Sequence, residues 1–282
     1  MDVNIIDRVS NALITAGSTY TNDQKEAFKM SIDSESNENS RWVLENLFAN
    51  ACVAEQRRSP LCDDSGIPHI FLELGKNRSI SGDTIDSIYE GIRRGLRGLP
   101  GRPMAVKGNE MQRLDQSVGL YEDSGMLCPS PLLVKLVEGD VLRLHILMLG
   151  GGPAIRGITY RIFHKHSVEV VLDEIVSRAK EGVKMLGCSP CVIAVGVGRS
   201  QFEATSMMIE AMVYGDFRKQ SYLEKTITER INASGIGPLG LGGKTSVLAT
   251  FLKVGPQRAS GVRIVSIRPC CCMEPRRSYV DL

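Results

Sequence analysis

The chain has 282 residues, 43% of them hydrophobic, with 34 lysines and arginines against 32 aspartates and glutamates. Near-neutral charge with scattered basic residues argues against a nucleic-acid partner. The hydrophobic share is enough for a substantial core, in one large domain or two closely fused lobes. Met1-Asp2-Val3-Asn4 lacks a basic-then-apolar leader, and no segment offers the roughly 20 apolar residues of a membrane span, so the expectation is a cytoplasmic chain without membrane attachment. Eight cysteines without export signals imply reduced thiols for metal or catalytic use rather than a disulfide framework.

From Asp2 to about Arg58 the pattern is helical, and Trp42, Val43, Leu47, Phe48, Ala51 and Cys52 recur at the spacing of one buried face. The run Asp33-Ser34-Glu35-Ser36-Asn37-Glu38 reads as an exposed loop, and Asn39-Ser40 as a cap for the helix that follows. After the turn Asp63-Asp64-Ser65-Gly66, a strand is predicted over 70–74 and a helix from Gly82 to about Arg97, started by Ser81 or Asp83. The stretch to Pro131 has no sustained period, which inside a compact domain points to function or mobility. Strands over 132–137 and 141–149, joined by Glu138-Gly139-Asp140, lead to Gly150-Gly151-Gly152. A helix over 169–185, a strand over 192–197, helices over 202–213 and 223–231, and strands over 247–254 and 262–267 complete the chain. The fold class is α+β: a helical N-terminal lobe over about 1–58, then a mixed α/β region over about 59–282, in a single domain.

Cys62 stands at a turn beside a strand, Cys188 between a helix and a strand, and Cys270 at a strand end, places where separated segments can meet. Four thiolates usually fill an iron–sulfur cluster, whereas three leave one iron open to act as a Lewis acid on a hydroxyl and carboxylate. Cys188-Ser-Pro-Cys191 has C-x-x-C spacing, a weak signal shared by redox and zinc sites. Cys270-Cys271-Cys272 is unusual as packing, because successive residues at a strand end point to opposite sides. Cys52 and Cys128 read as small buried hydrophobes.

Taken in order, these segments resemble the class I fumarate hydratases and L-tartrate dehydratase alpha subunits. Pro60-Leu61-Cys62-Asp63-Asp64-Ser65-Gly66 is similar to the family's P-x-C-Q-D-T-G, and Glu138-Gly139-Asp140 with Gly150-Gly151-Gly152 resembles its EGD and KGGG elements. Cys188-Ser189-Pro190-Cys191-Val192-Ile193-Ala194 is similar to C-P-P-Y-H-I-A. The most specific stretch is Gly235 to Thr245, similar to I-G-P-Q-G-L-G-G-K-T; its rival reading as a phosphate loop needs glycine where Pro238 stands. Ala259-Ser260-Gly261 through Cys270 keeps the family's spacing, while Cys272-Met273-Glu274-Pro275-Arg276-Arg277 offers a competing register against C-W-A-A-R-R.

The resemblance implies a [4Fe–4S] cluster on Cys62, Cys188 and Cys270, with Asp64 as the catalytic residue that orients the substrate hydroxyl. It assigns substrate binding to Asp63, which stands on the family's Gln, to Arg97 (with Arg102 as an alternative), to Gly151, to Lys244, and to Arg258, which stands on the family's active-site His. Lys244 has a second reading, as the partner of a carboxylate across a subunit interface. The family's N-T-G-D-N-T-P element is missing at Gly119–Pro131, and its S-E-N reads Pro153-Ala154-Ile155. The implied reaction is addition or removal of water on a small hydroxy-dicarboxylic acid. Because the family's proton-abstracting region is absent from this sequence, a separate beta-type subunit is expected, with the alpha chain homodimeric. Two other readings stay open: a non-catalytic iron–sulfur binding or regulatory protein, and a zinc protein using Cys188, Cys191 and two of Cys270–Cys272.

Overall fold

The computed structural model describes residues 1–99 and 101–282. A helical N-terminus is followed by an α/β region, in the order α1 (Val3–Ser18), α2 (Asn22–Ser34), α3 (Glu38–Arg57), β1 (Ile67–Gly75), α4 (Gly82–Gly98), α5 (Glu110–Asp115), β2 (Leu133–Val137), β3 (Leu142–Leu149), α6 (Gly151–Arg156), β4 (Ile158–Phe163), α7 (Val168–Leu186), β5 (Cys191–Gly198), α8 (Gln201–Tyr214), α9 (Tyr222–Asn232), β6 (Val247–Val254), β7 (Val262–Cys270) and β8 (Arg276–Asp281). The chain divides into two compact units. The first comprises Met1–Tyr20, Ala51–Gly150 and Arg276–Leu282; the second comprises Thr21–Asn50 and Gly151–Pro275. The N-terminal helices are therefore shared between the units.

In the first unit a four-stranded sheet runs β2-β1-β3-β8. Glu138-Gly139-Asp140 joins β2 and β3 in sequence but makes no hairpin of them: β1 lies between, parallel to β2 and antiparallel to β3. Alternate residues Ile70 and Leu72 of β1 and Leu142, Leu144 and Ile146 of β3 share a core with Val9, Leu13 and Ala16 of α1 and Ile88, Ile92 and Leu96 of α4. The two helices touch closely because α4 offers Gly91 and Gly95 at the contact. A Cβ on Gly91 would lie 2.7 Å from the Val9 Cβ, and one on Gly95 2.9 Å from the Leu13 Cβ. Asp2 caps α1 by accepting from the amides of Asn4 and Ile5, a role worth about 1 kcal/mol.

The sheet of the second unit runs β4-β7-β5-β6, with β5 parallel to β6 and antiparallel to β7. Every residue of β5 is buried, as expected of a central strand covered on both faces, and its sequence is accordingly a continuous apolar run. Leu172, Ile175, Val176, Ala179 and Val183 of α7 fill one side together with Ile193, Val195 and Ile267. Helix α8 packs against β5 and β7, and α9 against β6.

In α3 the buried apolar positions are Val43, Leu44, Ala51 and Ala54, while Trp42 is 64% exposed; the apolar stripe is rotated one residue from the expected one. The helix begins at Glu38, and its first turn is capped from Asn37, whose Oδ1 accepts the Ser40 amide at 3.2 Å. Glu35 also departs from the exposed-loop expectation, being wholly buried.

Candidate metal centre

Cys62 sits on the turn that leads into β1. The Leu61 amide bonds the Gly17 carbonyl at 3.0 Å and Leu61 itself is buried, which pins the turn from one side. From the other side comes Arg276 at the start of β8. It is 1% exposed; its Nε donates to the Met148 carbonyl at 3.0 Å and its guanidinium to the Asp64 carbonyl at 2.5 Å. An arginine buried to this degree is tolerable because its donors meet carbonyl oxygens. The acidic turn is thus fastened to the edge of β3, with Cys62 partly exposed and Asp63 outermost.

The Cys62 thiol donates to Asp63 Oδ1 at 3.3 Å. Burial pushes the thiol up, and the Asp63 carboxylate acts in the same direction, while the Asp64 amide and Arg276 oppose them. Asp63 is correspondingly lowered, first by the hydrogen bond from Cys62, then by the Asp64 amide, with the positive charge of Arg102 adding to both. Arg97 at the end of α4 is already engaged: its Nε lies 3.0 and 3.2 Å from the two Asp123 oxygens and its terminal nitrogen 2.8 Å from Oδ2. That fork, together with the Gly125 amide, holds Asp123 at about 2.

In the second unit, α7 stops at Gly187, which adopts the left-handed conformation, and the exposed Cys188 follows. Cys188 lies on a turn stitched to the glycine-rich segment. Ser189 Oγ donates to the Gly237 carbonyl at 2.7 Å, the Leu239 amide donates to the Ser189 carbonyl at 3.0 Å, and the Gly237 amide donates to Ser246 Oγ at 3.0 Å. The Cys272 amide donates to the Cys188 carbonyl at 2.9 Å, so the two thiol-bearing turns meet.

Cys272 is carried on a turn after β7 whose ends are clamped by Arg268 and Glu274. Their side chains are 8% and 0% exposed, with Arg268 Nε 3.2 Å from Oε2 and its terminal nitrogen 3.1 Å from Oε1. Burial opposes the charge on Arg268, but Glu274 and the neighbouring thiols of Cys270 and Cys271 overcome this and raise it. Cys270 itself is the last residue of β7. It is fully buried, with its sulfur 3.6 Å from Met212 Sδ on α8, and burial drives its thiol well above the ordinary range.

The glycine-rich segment receives a carboxylate from its own chain. Glu35 accepts the amides of Ser36 at 2.9 Å, Asn37 at 3.0 Å and Lys244 at 2.8 Å. Burial alone would raise this carboxyl, but these amides with that of Thr245 lower it overall. The Lys244 ammonium donates to the Ser34 carbonyl at 2.9 Å. Gly151 is exposed and opens the six-residue helix α6, and Arg258 lies in the exposed loop between β6 and β7.

Of the residues that the resemblance nominates, Cys62, Asp63 and Asp64 share one turn of the first unit, and the Cys188 turn meets that of Cys272 in the second. Gly151, Lys244 and Arg258 also fall in the second unit and Arg97 in the first. Among the described residues, no three His, Cys, Asp or Glu side chains are gathered as a ready metal cage. The thiols are nevertheless of the kind an iron–sulfur group takes: in the first unit Cys62 is partly exposed, and in the second Cys188 is exposed on a turn bonded to that of Cys272. Arg276, Arg268, Glu274 and Glu35 were not singled out; the double arginine after Cys272 was the available signal for the first.

These features define a two-unit α+β protein with cysteine-bearing turns at strand ends. The fumarate hydratase (Fumerase) family profile matches residues 6–281, and the chain belongs to that family. It is 28% identical over 243 residues to a Methanocaldococcus jannaschii protein provisionally named L(+)-tartrate dehydratase subunit alpha, covering 82% of each chain. It is also 21% identical over 267 residues to the L(+)-tartrate dehydratase alpha subunits of Escherichia coli K12 and Shigella sonnei, covering 93% of this chain and 86% of theirs.

Proposed function

We propose that this chain is the cluster-carrying alpha subunit of a hydro-lyase that adds or removes water on a small hydroxy-dicarboxylic acid, fumarate/malate-like or tartrate-like, together with a separate beta-type subunit. Family membership supports the reaction class, and the alpha-subunit names of the relatives support the need for a partner. The observation that carries the ligand assignment is the hydrogen bond between the Cys272 amide and the Cys188 carbonyl. We assign the thiolates to Cys62, Cys188 and Cys272. Spacing favours Cys270, but that residue is fully buried, with its sulfur 3.6 Å from Met212 Sδ.

The cluster, when bound, would supply an iron with an open position, a Lewis acid for a substrate hydroxyl and carboxylate. Asp64 orients the substrate hydroxyl from a turn made rigid by Arg276. Arg102, exposed and electrostatically close to Asp63, is better placed than Arg97 to take a substrate carboxylate, because the Arg97 fork is filled by Asp123. Lys244 and the glycine-rich segment have a scaffolding role, because Glu35 takes the amides an anion would use. Arg258 supplies a permanent positive charge, and Gly151 a side-chain-free approach to backbone amides. The carbon-bound proton is left to a group of the beta subunit.

Iron and sulfide content with an electron paramagnetic resonance spectrum, on protein purified without oxygen, tests this reading. About four irons per chain are expected, lost in Cys188→Ser and Cys272→Ser and retained in Cys270→Ser and Cys191→Ser. Zinc without acid-labile sulfide would overturn it in favour of the zinc reading. Loss in Cys270→Ser with retention in Cys272→Ser would restore the register that spacing favours.

A further inference from the structure

Within the first unit, residues 101–130 leave the stretch that carries Cys62 into β1 and come back to it. At the outgoing end a Cβ on Gly101 would stand 2.5 Å from Ser65 Oγ, and the exposed Arg102 follows at once. At the returning end the Ser130 amide donates to the Pro68 carbonyl at 2.9 Å. The returning limb is also held to α4, by the Arg97 fork on Asp123 and by Ser124 Oγ, which donates to the Leu96 carbonyl at 2.9 Å. The base of this excursion is therefore fixed beside Asp63 and Asp64.

Beyond the base the two limbs pair. Val106 bridges Leu120, the Lys107 amide donates to the Gly119 carbonyl at 2.9 Å, and the Tyr121 amide donates to the Ala105 carbonyl at 2.8 Å. The tip is α5, whose six residues are too few to stay helical on propensity alone. Local devices hold it. Asn109 Oδ1 accepts the Gln112 amide at 3.1 Å, Gln112 Oε1 accepts the Asn109 amide at 2.9 Å, and Gln116 closes the helix in the left-handed conformation. Yet no residue of α5 is buried. Met111 and Leu114, three apart and so on one side of the helix, are 78% and 90% exposed, and Val118 after them is exposed as well. Order built into the backbone, with the large apolar side chains turned outward, is the form of an element that another protein covers.

We propose that this tip, through Met111, Leu114 and Val118, docks the beta-type subunit by entering an apolar recess on that partner. The inference rests on reading this chain as an alpha subunit. A partner that supplies the proton-moving group has to approach the turn of Cys62 and Asp64, and residues 101–130 are rooted on that turn at both ends. The same excursion carries Arg102 at its base, so seating the tip would also fix where the partner stands relative to a substrate carboxylate. A second copy of this chain has no such reason to come to this turn.

The test follows, by sedimentation velocity, binding of the full chain to the purified beta-type subunit of the same organism, with both prepared without oxygen. Met111→Ser/Leu114→Ser should lower the affinity about 100-fold. Because both side chains are exposed, the double variant should keep the parent's circular dichroism spectrum and urea midpoint. Leu114→Lys provides a second variant and should weaken binding at least tenfold. Parent-like affinity in both variants would overturn the docking inference and leave the alpha-subunit reading standing, whereas a parent chain that binds no beta-type subunit would overturn both. The chain alone should sediment with the same mass in parent and variants. A self-association that the double variant abolishes would assign the tip to a second copy instead and overturn the proposal.

Discussion

Replacing Glu274 with glutamine removes one charge from the Arg268–Glu274 pair while keeping its shape. Glu274 is wholly buried and Arg268 nearly so, so the variant leaves a guanidinium charge in the interior without its counter-charge. Breaking a buried pair from one side costs about 3–5 kcal/mol, or about two to three and a half decades in a folding equilibrium. With urea slopes of about 1–3 kcal/mol per molar, the unfolding midpoint followed by circular dichroism should fall by roughly 1–5 M. A double replacement of both residues by leucine should recover most of that loss, since apolar groups of similar volume often replace a buried pair without penalty. A single-variant cost below about 1 kcal/mol, or a double variant no better than the single, would refute the claim that the pair clamps the Cys272 turn as a desolvated unit.

The Glu35 carboxyl is held below its ordinary range in the folded chain. Its contribution to stability is therefore full above that range and lost as pH falls through it toward the folded value. Glu35→Gln should cost about 1–3 kcal/mol near neutrality and converge with the parent in acid, as read from urea midpoints against pH; a pH-independent difference would count against the amide cradle. Carbon-detected NMR titration should find Asp123 at about 2, returning toward about 3.9 in Arg97→Ala; an unchanged value would remove Arg97 as the cause. Gly66 has φ +85°, and a Cβ there would stand 2.8 Å from the Leu149 carbonyl carbon and 2.7 Å from the Arg276 guanidinium. Gly66→Ala should thus destabilise by about 1–3 kcal/mol and speed hydrogen exchange in the Cys62 turn, and a neutral outcome would show that this turn is not pinned by Arg276.

Much of the element order was legible because it depends on local periodicity: the amphipathic runs of α4, α7 and α9 and the apolar run of β5 each declare themselves within one window. What escaped was decided by distant pairing. Strand β4 borders its sheet with only Ile162 buried, so burial gives it no alternating pattern to read. Strand β8 begins with two arginines and is a strand because β3 accepts it, Met148 facing Arg276. The turn Glu138-Gly139-Asp140 joins two strands as read, but nothing local to it shows that β1 occupies the place between them. Glu35 sits in a charged run that composition marks as solvated, and it is buried because amides more than 200 residues away turn toward it. The thiols divide the same way. Motif order nominates Cys62 and Cys188 and spacing favours Cys270, but no local pattern shows that Cys270 is buried against Met212.

The split composition of the first unit also bears on how the protein is made. Its sheet contains β1, β2 and β3 from the earlier part of the chain, yet the strand that closes β3 is β8, which follows the whole of the second unit. Roughly 130 residues separate the two, on the order of 6–25 s of ribosomal elongation at about 5–20 residues per second. Through that interval β3 presents an open edge of unpaired amides and carbonyls, and the acidic turn waits for Arg276. Newly begun chains are thus at their most vulnerable to edge-to-edge association before β8 arrives, and chaperone dependence should track the pace of translation through the second unit.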